Sequence, residues 1–411
     1  MCFHLKSQDT LYFKGDLQIT DAQSIPLTLQ IVMSDDTTKL FLGSPSQMTE
    51  LFPATKTKFT NDSVKFNVSN IGIKCRLKYF NDRQTLKGTF KQGLLNQNIT
   101  FYKTNKLFSF HRPQTPQRPF IYNEKELKFE NPNCKYLFHG TLTYPKKEGK
   151  YPLVVLVSGS GCQNRDEELF AHKPFMIIAD YLTKNGIAVF RYDDRGFGST
   201  DTNMYKGTTK DFAMDTRCAI QMLKKQDCID PNNIFVLGHS EGGMICQVLG
   251  KEGKDLRGLI LMAAPFVSGK KILASQTEAI LRLNHADTHD IETALNDIEN
   301  AKYDTTTISG LWLNYFYHFE PSMYVSKIKT PMLILQGGMD MQVLADINLS
   351  ALQKTISQRT HNFTIRQYPD LNHLFQHCNT GNPNEYMQIE ETISEQVLKD
   401  IKDFILEYSV R

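Results

Sequence analysis

The sequence predicts two folds in series: a small antiparallel all-β barrel or sandwich, followed by a mostly parallel, doubly wound α/β sheet with a helical cap. Short strands with alternating apolar residues fill the first part of the chain, whereas continuous apolar strands alternate with helical segments in the second. A four-residue apolar strand at residues 234–237 runs directly into Gly-x-Ser-x-Gly and a helix. These observations predict a β-rich domain over residues 1–110, a linker over 111–119 and an α/β domain over 120–411.

The N-terminal domain carries the pattern of half-buried β-strands. Apolar side chains occupy every second position in residues 27–33, and Ile73, Cys75 and Leu77 repeat this alternation. About eight strands of this length would close into a small barrel or sandwich. No charged pair or histidine cluster here indicates a second active site. The role of the domain stays open between a scaffold or partial roof and the binding of a carbohydrate or a partner protein.

Two segments interrupt the alternation of strands and helices. Residues 111–119 contain three prolines and no apolar period, which predicts a semi-rigid linker. Residues from about 268 to 329 separate two buried strands and are rich in helix-forming and then aromatic residues, which predicts a helical cap. Its aromatic side chains either line an acyl or aromatic pocket or merely anchor the cap, and the pocket candidates are Trp312, Tyr315, Phe316 and Phe319.

The Gly-x-Ser-x-Gly turn predicts an activated serine. Gly238 and Gly242 allow a sharp strand-to-helix turn that lifts the Ser240 hydroxyl above the sheet and directs a helix N-terminus at it. The pattern alone is weak, but the strand before it and the amphipathic helix after it favour a nucleophile elbow. Ser158 and Ser160 follow another strand without the elbow glycines, so Ser240 is preferred as the nucleophile.

A serine nucleophile needs a base and an orienting acid, and both follow it along the chain. Asp340 comes after a buried strand and a Gly-Gly turn, and His373 lies on the loop after the next strand. The order Ser240, Asp340, His373 is that of α/β-hydrolases. His377 competes as the base, but His373 follows its strand more directly. Asp370 competes as the acid, but it shares a loop with the histidine.

Oxyanion stabilisation requires backbone N–H donors from an earlier loop and from the residue after the nucleophile. The apolar strand at 152–157 opens into Ser-Gly-Ser-Gly, so the amides of Ser160 and Glu241 are the candidates. This loop lacks a dinucleotide fingerprint and a Walker lysine, which argues against a nucleotide. His285 and His289 could mimic a metal site but have no evident third ligand, so no metal and no other cofactor is expected.

The candidate residues lie within five motifs: SGSGCQNRDE at 158–167, HKPF at 172–175, FRYDDRGFGS at 190–199, GHSEGG at 238–243 and LNH at 371–373. Together, these motifs resemble bacterial α/β-hydrolases of the esterase and serine-aminopeptidase type. The resemblance implies a serine hydrolase that needs no metal, and it implies no single substrate. Cys162 stands where proline is common in such proteins, and a thiol beside the oxyanion hole predicts sensitivity to thiol reagents.

Composition restricts the partners and the compartment. The net charge is +3. We interpret the charged residues as spread along the chain without blocks of like charge, which argues against nucleic-acid binding. No apolar run reaches the length of a membrane span, so none is predicted. The expected partner is a small-molecule ester substrate. Whether the chain forms a homo-oligomer stays open. No signal peptide is predicted in residues 1–9. Free cysteines favour the cytoplasm and the family resemblance favours export to the periplasm, so localisation stays open.

These inferences converge on a serine esterase. Ser240 is expected to attack an ester carbonyl and form an acyl-enzyme, while His373 carries the proton and Asp340 orients the imidazole. Short-chain, aryl or carbohydrate-linked acyl esters are the expected substrates. A serine peptidase of the aminopeptidase or prolyl-oligopeptidase type is the alternative, although the N-terminal domain lacks the blade-length repeats of a propeller. A non-catalytic binding protein would require this triad to be inactive.

Overall fold

The computed structural model describes the chain except for residues 1–8, 21–22, 34–36, 47–50, 94, 106–109, 135, 200–204, 254, 357–362 and 411. The N-terminal stretch considered above for a signal peptide therefore lies almost wholly outside the described residues. The chain divides into two compact units. The first comprises residues 1–111, 168–171 and 198–201, and the second comprises residues 112–167, 172–197 and 202–411.

The first unit is built on one nine-stranded antiparallel sheet. Its strands are β1 (Asp9–Thr20), β2 (Gln23–Met33), β3 (Thr38–Gly43), β4 (Phe52–Pro53), β5 (Thr55–Phe59), β6 (Ser63–Val68), β7 (Ile73–Phe80), β8 (Thr85–Gln92) and β9 (Leu95–Thr104). Their order across the sheet is β4-β3-β2-β1-β9-β8-β7-β6-β5. Phe13, Leu40, Phe66 and Phe101 from distant strands share one buried cluster, so the sheet curls around its own core. The predicted small antiparallel β domain is confirmed, as a single curved sheet.

The second unit is built on an eight-stranded mixed sheet. Its strands are β10 (Asn123–Glu130), β11 (Leu137–Tyr144), β12 (Tyr151–Val157), β13 (Ala188–Tyr192), β14 (Ile229–His239), β15 (Gly258–Met262), β16 (Met332–Gly337) and β17 (Phe363–Tyr368). Their order is β10-β11-β13-β12-β14-β15-β16-β17, with β11 antiparallel to both neighbours and the other pairs parallel. Apolar clusters cover both faces, as the continuous apolar strands require. The predicted doubly wound sheet is confirmed.

Nine α-helices accompany this sheet among the described residues. They are α1 (Pro174–Lys184), α2 (Thr209–Leu223), α3 (Glu241–Glu252), α4 (Gly269–Leu283), α5 (Thr288–Glu299), α6 (Ile308–Tyr317), α7 (Ser322–Val325), α8 (Ala345–Ile356) and α9 (Glu395–Tyr408). Helices α4 to α7 lie in the segment between β15 and β16 that the sequence assigns to the cap. No helix in the described part of the chain combines the length and apolar character needed to cross a bilayer.

Side chains from the Pro-rich segment are fixed on the α/β unit. The Arg112 guanidinium donates hydrogen bonds to the carbonyl oxygens of Met387 and Ile389, each over 2.9 Å. The Gln114 side chain donates to the carbonyl oxygen of Ile393 over 2.7 Å. These contacts hold the beginning of the segment against the loop that precedes α9, a position that the prolines alone do not indicate.

Candidate active site

The junction of β14 and α3 forms a strained turn at Ser240. Ser240 has φ 53° and ψ −118°, and such backbone conformations cost a non-glycine residue about 1–3 kcal/mol. The flanking glycines leave no room for a side chain, since a Cβ would lie 2.0 Å from the Gly242 oxygen at Gly238 and 2.2 Å from the Val157 oxygen at Gly242. The Ser240 amide donates to the Met262 carbonyl over 2.9 Å. The turn thus has the geometry that presents a serine at the carboxyl edge of the sheet.

Asp340 and His373 meet at the same edge. His373 Nδ1 lies 2.8 Å from Asp340 Oδ2, and both residues are buried. Oδ1 of Asp340 accepts hydrogen bonds from the amides of Gln342 and Val343, each over 2.8 Å, and Gln336 Nε2 lies 3.2 Å from Oδ2. These donors satisfy the buried carboxylate and fix its orientation, so His373 keeps Nε2 available as a base.

The competing histidine and aspartate form a separate, exposed pair. His377 Nε2 lies 3.6 Å from Asp370 Oδ2, and its Nδ1 lies 2.7 Å from Glu391 Oε2. The side chains of His377 and Asp370 are 55% and 61% exposed. Because a general base is oriented by a fixed acid, the buried pair of His373 and Asp340 suits this role better than the exposed one.

His239, the residue before Ser240, links the loops around the elbow. Its Nε2 lies 2.9 Å from the His373 carbonyl oxygen, and its Nδ1 lies 3.0 Å from Glu167 Oε1. The same Glu167 oxygen accepts the amide of Gly159 over 2.7 Å. Burial disfavours the charge of His239, but the Glu167 carboxylate and the His373 carbonyl outweigh it and raise the pKa of His239. Sequence reasoning missed this residue because the motif leaves its position unspecified.

The predicted oxyanion donors lie on neighbouring loops. Ser160 Oγ donates to Glu241 Oε2 over 2.9 Å, which brings the two residues together. Among the described residues, neither the Ser160 amide nor the Glu241 amide has a hydrogen-bond acceptor. The loop after β12 passes directly beside Ser240, since a Cβ on Gly159 would lie 3.1 Å from Ser240 Cβ. Both amides are therefore free to bind an oxyanion.

The Glu241 side chain connects the elbow with three other elements. Its buried carboxylate accepts hydrogen bonds from Thr209 Oγ1 over 2.7 Å, from Trp312 Nε1 over 2.9 Å and from Ser160 Oγ. Burial raises the pKa of Glu241, and these three donors partly oppose the rise. Glu241 therefore ties α3 to α2, to the loop after β12 and to α6 of the segment assigned to the cap.

A cavity of about 200 Å³ lies beside the elbow. Gly159 and Glu241 contribute to its wall, so it begins next to the candidate oxyanion donors. Most of its surface is apolar. Its apolar walls come from Val157, Tyr192, Phe212, Ile245, Ile308 and Trp312. A cavity of this kind suits an acyl group.

Of the four aromatic pocket candidates, Trp312 lines this cavity and the other three lie elsewhere. Phe316 lies one turn beyond Trp312 on α6, Phe319 follows the end of that helix, and both are buried in the apolar core. The Tyr315 hydroxyl lies 3.3 Å from that of Tyr324. Tyr315, Phe316 and Phe319 thus pack on α6 or in the core and do not line this cavity, and their assignment to a substrate pocket stays a prediction.

The described residues contain no group of three or more His, Cys, Asp or Glu side chains suited to a metal ion. His285 and His289 are exposed. Asp287 between them instead caps α5, because its Oδ1 accepts the Asp290 amide over 2.8 Å.

Cys162 is an exposed residue that lines the cavity, and its surroundings disfavour the thiolate form. Desolvation, together with the charges of Asp194 and Asp193, raises the pKa of its thiol well above the ordinary range. Because the thiolate is the reactive form, we expect iodoacetamide to leave ester hydrolysis intact at neutral pH, contrary to the expectation from sequence. Residual activity after timed exposure measures this. A rapid loss of activity that Cys162→Ser prevents would contradict it.

Comparison with known proteins gives a family match and several relatives. Residues 173–377 match the family described as serine aminopeptidase, S33. The esterase EstD of Thermotoga maritima is 31% identical over 257 residues, which cover 61% of this chain and 61% of that protein. Est1E of Butyrivibrio proteoclasticus, solved with ferulic acid, has 18% identity and a TM-score of 0.48 over 69% of this chain and 98% of its own. A puromycin hydrolase has 13% identity and a TM-score of 0.49 over 93% of this chain and 52% of its own.

Proposed function

Because the chain belongs to the α/β-hydrolase superfamily, we propose that it is a serine hydrolase that cleaves carboxylic esters through an acyl-enzyme on Ser240. The observation that carries this proposal is the buried pair of His373 and Asp340, linked through His239 to the strained turn at Ser240. The esterase activity named for the Thermotoga relative supports an ester as the substrate.

The proposed reaction uses groups that the structure brings to one edge of the sheet. His373 accepts the Ser240 proton at Nε2 as the serine oxygen attacks the ester carbonyl. The amides of Ser160 and Glu241 stabilise the tetrahedral oxyanion, and Asp340 stabilises the imidazolium. His373 then returns the proton to the departing alcohol. Water attacks the acyl-enzyme by the same route and restores Ser240.

Hydrolysis of a p-nitrophenyl ester series, from acetate to dodecanoate, tests the proposed activity. A cavity near 150 Å³ holds benzene, so one of about 200 Å³ suits an acyl group of about eight non-hydrogen atoms. Turnover of the short and middle members is expected. Failure to cleave any member would remove the support for an esterase.

Phe212→Ala is expected to move the acyl-chain preference upwards. Phe212 lines the cavity, and loss of its ring extends the apolar space available to the substrate. We expect the chain length with the highest kcat/KM to increase by about four carbons, with about a tenfold gain on dodecanoate. Met214→Ala is the matched control, because Met214 lies on the same helix but is 37% exposed. An unchanged profile in Phe212→Ala would place the acyl group outside this cavity.

A serine peptidase is the second candidate, because the matching family is described as serine aminopeptidase. The same constellation can attack an amide, with His373 protonating an amine instead of an alcohol. Aminoacyl p-nitroanilides and the corresponding p-nitrophenyl esters separate the two activities. A higher kcat/KM on the anilides than on any simple ester would favour the peptidase.

A further inference from the structure

The positive charge of the chain is concentrated in one stretch of the first unit. Residues 55–104 contain ten Lys and Arg against two Asp, a net charge of +8. The remaining 361 residues contain 37 Lys and Arg against 42 Asp and Glu, a net charge of −5. The interpretation of a charge spread without blocks is therefore wrong for residues 55–104.

Strand register gathers these cations on the outer face of the sheet. On β7, Lys74, Arg76 and Lys78 are exposed, whereas the alternating apolar residues are buried. Neighbouring strands place further cations directly opposite them. The cross-strand partners are Lys58 with Lys65, Lys65 with Arg76, Lys74 with Lys91, and Lys78 with Lys87. The seven side chains Lys58, Lys65, Lys74, Arg76, Lys78, Lys87 and Lys91 are here named the basic face.

The basic face has little internal compensation: Asp62, which accepts a hydrogen bond from Thr60, interacts electrostatically with Lys78 but forms no ion pair with it. Like charges directly opposite each other destabilise a sheet, and every cross-strand pair named above is of this kind. Among the described residues, no carboxylate forms an ion pair with a lysine of the basic face. Within the described ranges, Arg76 donates hydrogen bonds to the Phe66 and Cys75 carbonyl oxygens and to the Asn67 amide oxygen. A polyanion lying across the strands would relieve this repulsion.

The surroundings of the basic face match a hydroxylated polymer. Asn96, Asn98 and Thr89 lie in the same cross-strand rows as the cations and are exposed, so amide and hydroxyl groups alternate with the ammonium groups. Of the large apolar side chains that are exposed among the described residues, those of the first unit are Phe80 and Tyr102, and they lie beside these rows of cations. A bilayer-binding surface would need apolar side chains between its cations, and these rows have none.

Shape argues against nucleic acid as the occupant. The outer face of a sheet that curls around its own core is convex, and it would contact only a few phosphates of a convex duplex. Single strands bind on rows of aromatic platforms, whereas Phe80 is covered by the Lys87 ammonium at 5.7 Å from its ring centre. We propose that the basic face binds an acidic polysaccharide, a flexible chain of hydroxylated sugars that carry carboxylates. This proposal goes beyond the hydrolase activity and does not rest on it.

Binding of the full chain to polygalacturonate tests the proposal, with a neutral dextran as the control polymer. The variant Lys74→Gln, Lys78→Gln, Lys87→Gln, Lys91→Gln removes four charges from the basic face. The control variant Lys146→Gln, Lys147→Gln, Lys150→Gln, Lys210→Gln removes four exposed charges from the α/β unit. We expect at least about a tenfold loss of affinity in the first variant and less than about a twofold loss in the second. The affinity of the parent chain for polygalacturonate should fall when the salt concentration is raised from about 50 mM to about 200 mM.

Three results would overturn the proposal. They are equal binding by both four-site variants, tighter binding to single- or double-stranded DNA than to polygalacturonate, and tighter binding to phosphatidylserine vesicles, all at one ionic strength. If the first variant does not fold, the double variant Lys78→Gln, Lys87→Gln is used instead. We expect about a threefold loss of affinity for polygalacturonate, and an unchanged affinity would overturn the proposal. Ser240→Ala should bind like the parent, so the result does not depend on the hydrolase proposal.

Discussion

Ser240→Ala is expected to lower kcat/KM for p-nitrophenyl butyrate by about 10⁴-fold or more. The variant retains the oxyanion amides and the cavity but has no oxygen that can form the acyl-enzyme. Burst and steady-state release of p-nitrophenol measure the loss, and a fluorophosphonate probe should label the parent chain and not the variant. Activity within about tenfold of the parent would place the nucleophile elsewhere.

Two substitutions on neighbouring loops make the same prediction specific to the proposed triad. Asp340→Asn should cost about 10³- to 10⁴-fold in kcat, because the amide cannot hold His373 in the required tautomer. His377→Ala should stay within about twofold of the parent, because His377 is exposed and pairs with Asp370 and Glu391. If these two results were exchanged, the base would be His377 and the assignment of His373 would be wrong.

The features that sequence predicted well depend on local pattern or on sheet geometry. The turn at Ser240 follows from Gly238 and Gly242, each of which lies two positions from the serine. The approach of Asp340 to His373 follows from strand order, since the carboxyl ends of adjacent parallel strands meet at one edge. Both predictions use patterns contained in short segments, and the parallel pairing of β16 with β17 completes them.

The features that sequence missed depend on contacts between distant residues. His239 and Glu167 are 72 positions apart, and no pattern in either segment indicates that the other lies beside it. Helix α9 begins at Glu395, and the loop before it accepts hydrogen bonds from Arg112, which is 277 positions from Ile389 and 275 from Met387. The basic face depends on the register of β6, β7 and β8, which the average composition conceals.

The protonation state of His239 can be inferred from its partners. Nε2 faces the His373 carbonyl oxygen, which only accepts hydrogen bonds, so Nε2 carries a proton. Nδ1 faces the Glu167 carboxylate, which also accepts the Gly159 amide. A neutral imidazole carries one proton and cannot donate from both nitrogens. We therefore expect a buried imidazolium that is neutralised by Glu167 and lies 4.8 Å, ring centre to ring centre, from His373.

Loss of this ion pair is expected to lower kcat by about 10²-fold and to change KM by less than about threefold. In Glu167→Gln the imidazolium has no counter-ion, so the ring loses a proton and one of its two hydrogen bonds. In His239→Gln, one side-chain amide group replaces the two ring N–H groups, which donate in opposite directions. Either change releases the loop of His373 or the loop of Gly159, and a displacement of about 1 Å is enough for such a loss. The apolar walls of the cavity come from residues outside this ion pair, so KM is expected to change little.

Three measurements distinguish this positioning role from a general loss of stability. The double variant should be no worse than the poorer single variant, because the two residues act as one unit. His377→Gln makes the same chemical change at an exposed site and should leave kcat within about twofold of the parent. Nitrogen NMR of histidine-labelled chain should show both ring nitrogens of His239 protonated at neutral pH, because its pKa is raised. A neutral ring, or losses that multiply in the double variant, would mean that His239 and Glu167 do not hold the two loops as a charged pair.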